Sequence, residues 1–209
     1  MPSTITPNKT VDITAAVAWQ DIATANQVIS SAISVGTSAG KRAVRFFIKL
    51  ARRSGTAFTA GWPNVRIEAS SKSTGNSDWI PLYSYQMGVG ASIANTTLNG
   101  AVSAGATSFV VTAATNIAVG DMLYLGDSSA SNWELVRVKS VSGTTITPEE
   151  AVTFAHASGS AVTDQAEVAS PAFGCVTFSR LRVVVDNAGG GQTVAAEVAY
   201  TTYDSDGAT

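Results

Sequence analysis

Apolar and polar side chains alternate every second residue through most of this chain, a period that predicts strands rather than helices. Val44, Phe46, Ile48 and Leu50 fall on one side of an extended segment, and Arg45, Phe47 and Lys49 on the other. A helix over the same residues would group Val44, Phe47, Ile48 and Ala51 beneath a basic face suited to a membrane or an acidic partner. The neighbouring Gly36 and Gly40 favour the strand. Asn64–Ser70 repeats the pattern, with Val65, Ile67 and Ala69 opposite Arg66 and Glu68. Trp79–Tyr85 reads as another strand, and its Pro81 points to an edge or a bulge because proline cannot donate to a ladder. Val11–Ile33 has mixed periodicity, its Ala-rich Asp12–Ala25 reading equally as helix or as short strands. Met1–Thr10, with two prolines among small polar residues, reads as an extended arm that packs on a neighbour.

Farther along, short β-favouring runs are separated by Gly, Asp and Ser. Ser108–Thr112, Asp121–Leu125, Trp133–Val141 and Thr144–Thr147 are the predicted strands, the last two forming a hairpin across Val141-Ser142-Gly143. In Trp133–Val141, Glu134, Val136 and Val138 share one side; Trp133, Leu135, Arg137 and Lys139 share the other, which turns outward toward its end. Phe173–Asp186 and Thr193–Tyr203 read as a long closing hairpin tipped by Gly189-Gly190-Gly191. Its arms need partners that the strands before residue 90 can supply. The predicted fold is therefore all-β: a β-sandwich or jelly-roll-like body from residues 1–95 plus 165–209, with a small β-barrel-like module, 96–164, inserted into it. Met87–Leu98 and Thr163–Pro171 are the predicted connectors.

Composition narrows the function classes. The chain has 209 residues, enough apolar content for a sizeable core, and only 13% charged residues, about half the usual share. A surface so rich in Ala, Ser, Thr, Val and Gly fits burial between subunits, although some β proteins are simply rich in Ser and Thr outside. A net charge of −2 makes nucleic acid an unlikely partner, since that needs a strongly basic face. The one charge cluster is Lys41, Arg42, Arg45, Lys49, Arg52 and Arg53, six of the thirteen basic residues. It reads either as a solvated strand face and loop or as a contact for an acidic partner subunit or for packaged DNA.

Chemistry finds little footing. A nucleophilic triad needs a base within reach of Ser or Cys, and the single His156 and single Cys175 offer neither an elbow motif nor a zinc constellation. Adjacent Glu149 and Glu150 point to opposite sides of an extended chain, so they cannot flank one bond; they decorate the turn after Pro148. Glu134 with Asp121 or Asp127 lacks the loop that a calcium site uses. No run is long enough to span a membrane, and the start lacks a secretory signal, so assembly in the cytoplasm is expected. The expectation is no enzyme activity, no cofactor and no metal. Trp62, Trp79 and Trp133 would form the platform if this were a carbohydrate-binding module.

A resemblance sharpens the picture. The Ala-Gly-Ala-Thr-Ser turn at 104–108, the Val-Gly-Asp corner at 119–121, Glu134 with Val136 and Val138, Val-Ser-Gly-Thr-Thr at 141–145 and Phe-Ala-His-Ala at 154–157 stand in a telling order. Within Asn99–Val162 that order resembles a small β module that recurs in tailed-bacteriophage virion proteins. Ser179–Tyr200 also resembles, more weakly, the closing hairpin of phage head and tail accessory proteins. The resemblance implies a structural virion protein, foremost a capsid decoration or cement protein, located in the virion. It implies as partners the major capsid protein or other virion proteins, with self-association as a trimer. A tail, neck or fibre-attachment component is the alternative placement. The residues expected at the interface are the basic strand residues Lys41, Arg42, Arg45, Lys49, Arg52 and Arg53, the arm Met1–Thr10, and Trp133 of the module.

Overall fold

A computed structural model describes residues 13–204 except 24, 37–40, 54–62, 76–77, 88–92, 127–131, 165, 176 and 188–191. Among the described residues the chain is all-β. Its strands are β1 (Thr14–Ile22), β2 (Gln27–Ile29), β3 (Ile33–Ser34), β4 (Lys41–Arg52), β5 (Asn64–Ser70), β6 (Ile80–Gln86), β7 (Asn95–Thr97) and β8 (Phe109–Val110). There follow β9 (Met122–Gly126), β10 (Trp133–Ser142), β11 (Thr145–Pro148), β12 (Ala161–Thr163), β13 (Ala166–Ala169), β14 (Ala172–Gly174), β15 (Arg180–Asp186) and β16 (Val194–Asp204). The ambiguous stretch near the start is thus β1, β2 and β3, in keeping with its Thr and Val content.

Two antiparallel sheets pack face to face. The first runs β1-β16-β4-β13, with β14 also on β4; the second runs β2-β15-β5-β6, with β3 also on β15. Period-two patterning puts Val44, Phe46, Ile48 and Leu50 from the first sheet against Val65, Ile67, Leu181, Val183 and Val185 from the second, all buried. Phe46 anchors this core, edge-on to Phe173 at 6.2 Å and tilted against Tyr200 at 6.1 Å. The outward face of the second sheet closes on itself. Arg66 pairs with Asp186 and Glu68, Arg182 pairs with Glu68, and Arg180 and Arg182 lie over the Trp79 ring.

The expected closing hairpin does not form. β15 lies in the second sheet beside β5, while β16 lies in the first between β1 and β4. β15 ends at Asp186 in the second sheet and β16 begins at Val194 in the first, so the chain passes from one sheet to the other between them. Asn187 fixes the crossing: its amide donates to Ile22 O at 2.9 Å and Gln192 O at 2.8 Å, and its N–H donates to Asn26 O at 2.9 Å. The Gly-rich tip that suggested a hairpin falls outside the described residues, as does the arm Met1–Thr10.

The third sheet runs β7-β12-β9-β10-β11-β8, and its two ends meet. Leu98 pairs with Val111, Asn99 N–H donates to Val110 O, and Thr112 N–H donates to Thr97 O, so this sheet curls onto itself as a barrel. Leu98, Phe109, Val111, Leu123, Leu125, Val136, Val138, Ile146 and Val162 fill it. The stretches read as connectors are partly strand: Asn95–Thr97 is β7 and Ala166–Ala169 is β13 on β4.

Among the described residues the sheet edges are short or irregular, β2 and β3 being strands of three and two residues. β1 carries register shifts against β16, β6 carries Pro81 beside another shift, and β13 and β14 are short strands separated by Ser170 and Pro171. Such edges resist strand addition.

Candidate interaction surface

The two outward faces that meet are those of β4 and β10. Because Phe46, Ile48 and Leu50 point into the core, Arg45, Phe47 and Lys49 stand on the outside of the first sheet. On β10 the same rule buries Glu134, Val136 and Val138 and leaves Trp133 and Leu135 half-buried and Arg137 and Lys139 exposed, as the sequence predicts. Lys49 Nζ joins the two strands. It bonds Glu197 Oε2 at 2.8 Å and sits 5.3 Å from the centre of the Trp133 ring, which stacks on Tyr124. Beneath this seam Ala51, Tyr124, Ala166 and Ala195 form a small buried cluster between the first and third sheets.

Three hollows run along the seam and share walls. The first, about 290 Å³, is lined by Phe47, Lys49 and Val168; the second, about 400 Å³, by Lys49, Trp133, Met122, Phe154 and Val168. A third, about 220 Å³, continues past Met122 and Leu135 to Arg137, Glu149 and Glu150. Together they make one groove, apolar in the middle, where Val168 is 51% and Phe154 41% exposed. Exposed apolar side chains beside charged ones give this groove the character of a contact surface.

Glu134 shapes the groove wall. Its carboxylate accepts the Thr153 N–H at 2.7 Å, the Phe154 N–H at 3.0 Å and a bond from His156 Nε2 at 2.8 Å. Burial alone would raise this carboxyl, but the His156 bond and the two N–H groups outweigh it and hold the group below the ordinary glutamate value. The pin draws residues 153–156 onto β10 and leaves Phe154 facing the groove. Sequence reasoning placed Glu134 on the core side but did not pair it with His156, which lies 22 residues on; a buried acid in an apolar strand face was the available signal. Asp121 is engaged elsewhere, its carboxylate accepting the Ala118 N–H at 2.7 Å. Asp127 lies outside the described residues. Among the described residues no group of three His, Cys, Asp or Glu side chains stands together to hold a metal ion.

The basic cluster divides. Arg42 and Arg45 are exposed, and Arg45 has no ion-pair partner among the described residues. Lys49 is held by Glu197, and Arg53 pairs with Asp21. The Lys41 side chain lies outside what is described. Arg52 does not face outward: it is fully buried, donates from Nη2 to Ala94 O at 2.6 Å and stands 3.7 Å from Asp164 Oδ1. The Thr163 hydroxyl donates to the Arg52 carbonyl. Burial lowers the Arg52 guanidinium and raises the Asp164 carboxyl from their ordinary values, each offset only in part by the other. Desolvation therefore exceeds their attraction, as a 3.7 Å separation leads one to expect. Arg52 acts inside the chain, tying both ends of the third sheet's segment to β4.

The two described tryptophans of the sugar-platform reading are engaged internally, Trp133 by Tyr124 and Lys49 and Trp79 by two arginines. Trp62 lies outside the described residues. Cys175 is a buried free thiol whose pKa burial pushes up, which suits a small core residue. No helix of the described residues is long and apolar enough to cross a membrane.

No protein-family model and no curated protein matches this chain. Among solved structures, VP17, a capsid protein of bacteriophage P23-77, aligns over 91% of this chain and 98% of its own length. The identity is 10% and the TM-score 0.20, too low for the likeness to say what this chain does.

Proposed function

We propose that this protein is a structural component of a tailed-phage virion, a decoration or cement protein that binds across neighbouring capsid subunits and makes or breaks no covalent bond. The observation that carries the reading is the order of motifs in Asn99–Val162, which resembles the virion β module, together with the position of each motif in the third sheet. The 104–108 turn, the 119–121 corner, Glu134 and the Phe-Ala-His-Ala stretch are its turns and its buried pin. The surface supports the same reading: few charges, short or irregular edges and an apolar groove suit broad side-chain contact with other proteins. On a shell each such contact repeats in fixed geometry, so modest single-site affinity suffices.

The test is to purify the parent particles and count this chain in them. A copy number comparable to that of the capsid subunits, and rebinding of the purified protein to heads stripped of it, are expected. A few copies at the tail would move it to a tail, neck or fibre-attachment role, and absence from the particle would overturn the virion reading. A glycan array addresses the carbohydrate-binding alternative, and no selective binding is expected.

A further inference from the structure

The groove between β4 and β10 carries opposite charge at its two ends. At one end Arg45 is exposed and lacks an ion-pair partner among the described residues; it stands about 7 Å along β4 from Phe47, on the same face. At the other end Glu149 and Glu150 are exposed. Glu149 lies only within 3.8 Å of Arg137 Nε, and no ion pair engages Glu150 among the described residues. Lys139 lies farther along β10, outside the lining of the groove. Between the two ends Lys49 is bonded to Glu197, Glu134 is buried and held by His156 and two backbone N–H groups, and the apolar side chains at the surface are the half-buried Phe47 and the exposed Val168 and Phe154.

A surface that is cationic at one end, apolar in the middle and anionic at the other is complementary to itself after a half-turn. In such an isologous contact residue i meets j and j meets i, so each favourable pair is made twice. We propose that a second copy of this chain packs on this groove about a two-fold axis, Arg45 of each copy against Glu150 of the other and the Phe154 and Val168 side chains buried between them. The contact uses side-chain faces, in agreement with sheet edges that are short or irregular. It does not rest on the virion reading, since it is a property of the purified chain.

Sedimentation velocity of the full chain across a concentration series checks it. The unaltered protein is expected to form dimers that weaken as salt is raised, because exposed charges are screened. Arg45→Glu and Glu150→Arg, both surface changes, should each weaken the dimer by about tenfold. An equimolar mixture of the two variants should recover it, because the mixed dimer restores opposite charges at both contacts, and so should the two changes combined in one chain. Val168→Asp should abolish pairing without either charge reversal. A monomer throughout the series, a trimeric mass, or a mixture no better than either variant alone would overturn the proposal; in the first case the groove belongs to a different protein.

Discussion

The sandwich and the third sheet are both antiparallel β, yet they reach stability by different routes. The sandwich joins strands far apart in sequence, β4 with β16 and β5 with β15, and what holds them is a broad apolar interface with aromatic anchors. In the third sheet β9, β10 and β11 follow one another, the filling is aliphatic apart from Phe109, and shape comes from turns and a polar pin. Of the seven positive-φ glycines among the described residues, five lie in that sheet's segment, so its backbone rather than its core is where it is most constrained. The comparison teaches that one alternating pattern is compatible with two designs, one specified by what it buries and the other by where it bends.

Core truncation should separate them most strongly. Phe46→Ala removes a fully buried ring from the sandwich and is expected to cost about 4 kcal/mol. Amide exchange resolved by strand would check it. β4, β16, β5 and β15 should lose more protection than β9, β10 and β11, and equal loss would show one cooperative unit. Next comes the seam. Arg52→Ala strips a buried cation from the Ala94 carbonyl and Asp164 and should cost about 3 kcal/mol. Denaturant unfolding followed by fluorescence, in a background that keeps Trp133 at the junction as its single tryptophan, should then broaden or split. Replacing Arg52 and Asp164 together by apolar residues should recover part of the loss, because removing both charges leaves neither stranded.

A smaller effect belongs to the pin. Glu134→Ala leaves two N–H groups and His156 without their acceptor, a loss of about 2 kcal/mol felt in the third sheet. Its pH dependence has a definite sign. The folded-state pKa is depressed, so the carboxylate contributes its full stability above the ordinary glutamate range and loses it as pH falls through that range and on through the lower folded value. Asp164 acts oppositely. Burial raises its folded pKa, so its contribution is present at low pH and is lost as pH rises through that value. Thermal melts between pH 2 and 7 should therefore show a shallower acid limb in Glu134→Gln and a steeper one in Asp164→Asn; reversed slopes would refute the assignment.

How much of this was legible in the residues follows from the same contrast. The faces of β4, β5 and β10 and the edge placement of β6 were readable, because alternation and Pro81 report directly on burial and pairing. The route of the last two strands was not. The glycine-rich stretch after Asn187 looks like a hairpin tip in sequence, and only the strand pairings of β15 and β16, with the partners of Asn187, reveal that the two strands lie in different sheets. Charge was misleading for a similar reason. Six basic residues in a row of thirteen look like one surface, yet Arg52 closes a buried junction, Lys49 is bonded to Glu197 and Arg53 to Asp21, so among the described side chains Arg42 and Arg45 are the outward charges. Side-chain direction at a strand's end depends on what packs there, which a local pattern does not contain. The Glu134–His156 pin was half legible, since the acid's position in an apolar face signalled a partner without naming it.

The gentlest probe tests whether bends do specify the third sheet. Ser142 faces Thr145 at the end of the β10–β11 hairpin, so Gly143 and Thr144 form a two-residue turn, and Gly143 holds φ at +59°. Two-residue hairpins demand positive φ at their first central position because only then does the turn's twist match that of the strands. Nothing lies within 4 Å of where a Cβ would sit, so Gly143→Ala adds no clash and isolates the backbone term. The expected cost is about 1 kcal/mol, the penalty of a left-handed conformation for a residue with a Cβ. Gly143→Asn, which tolerates that region, should recover most of it. If alanine proves neutral in thermal melts, the hairpin is held by its strand pairing alone, and the distinction between a bent sheet and a buried one loses its clearest support.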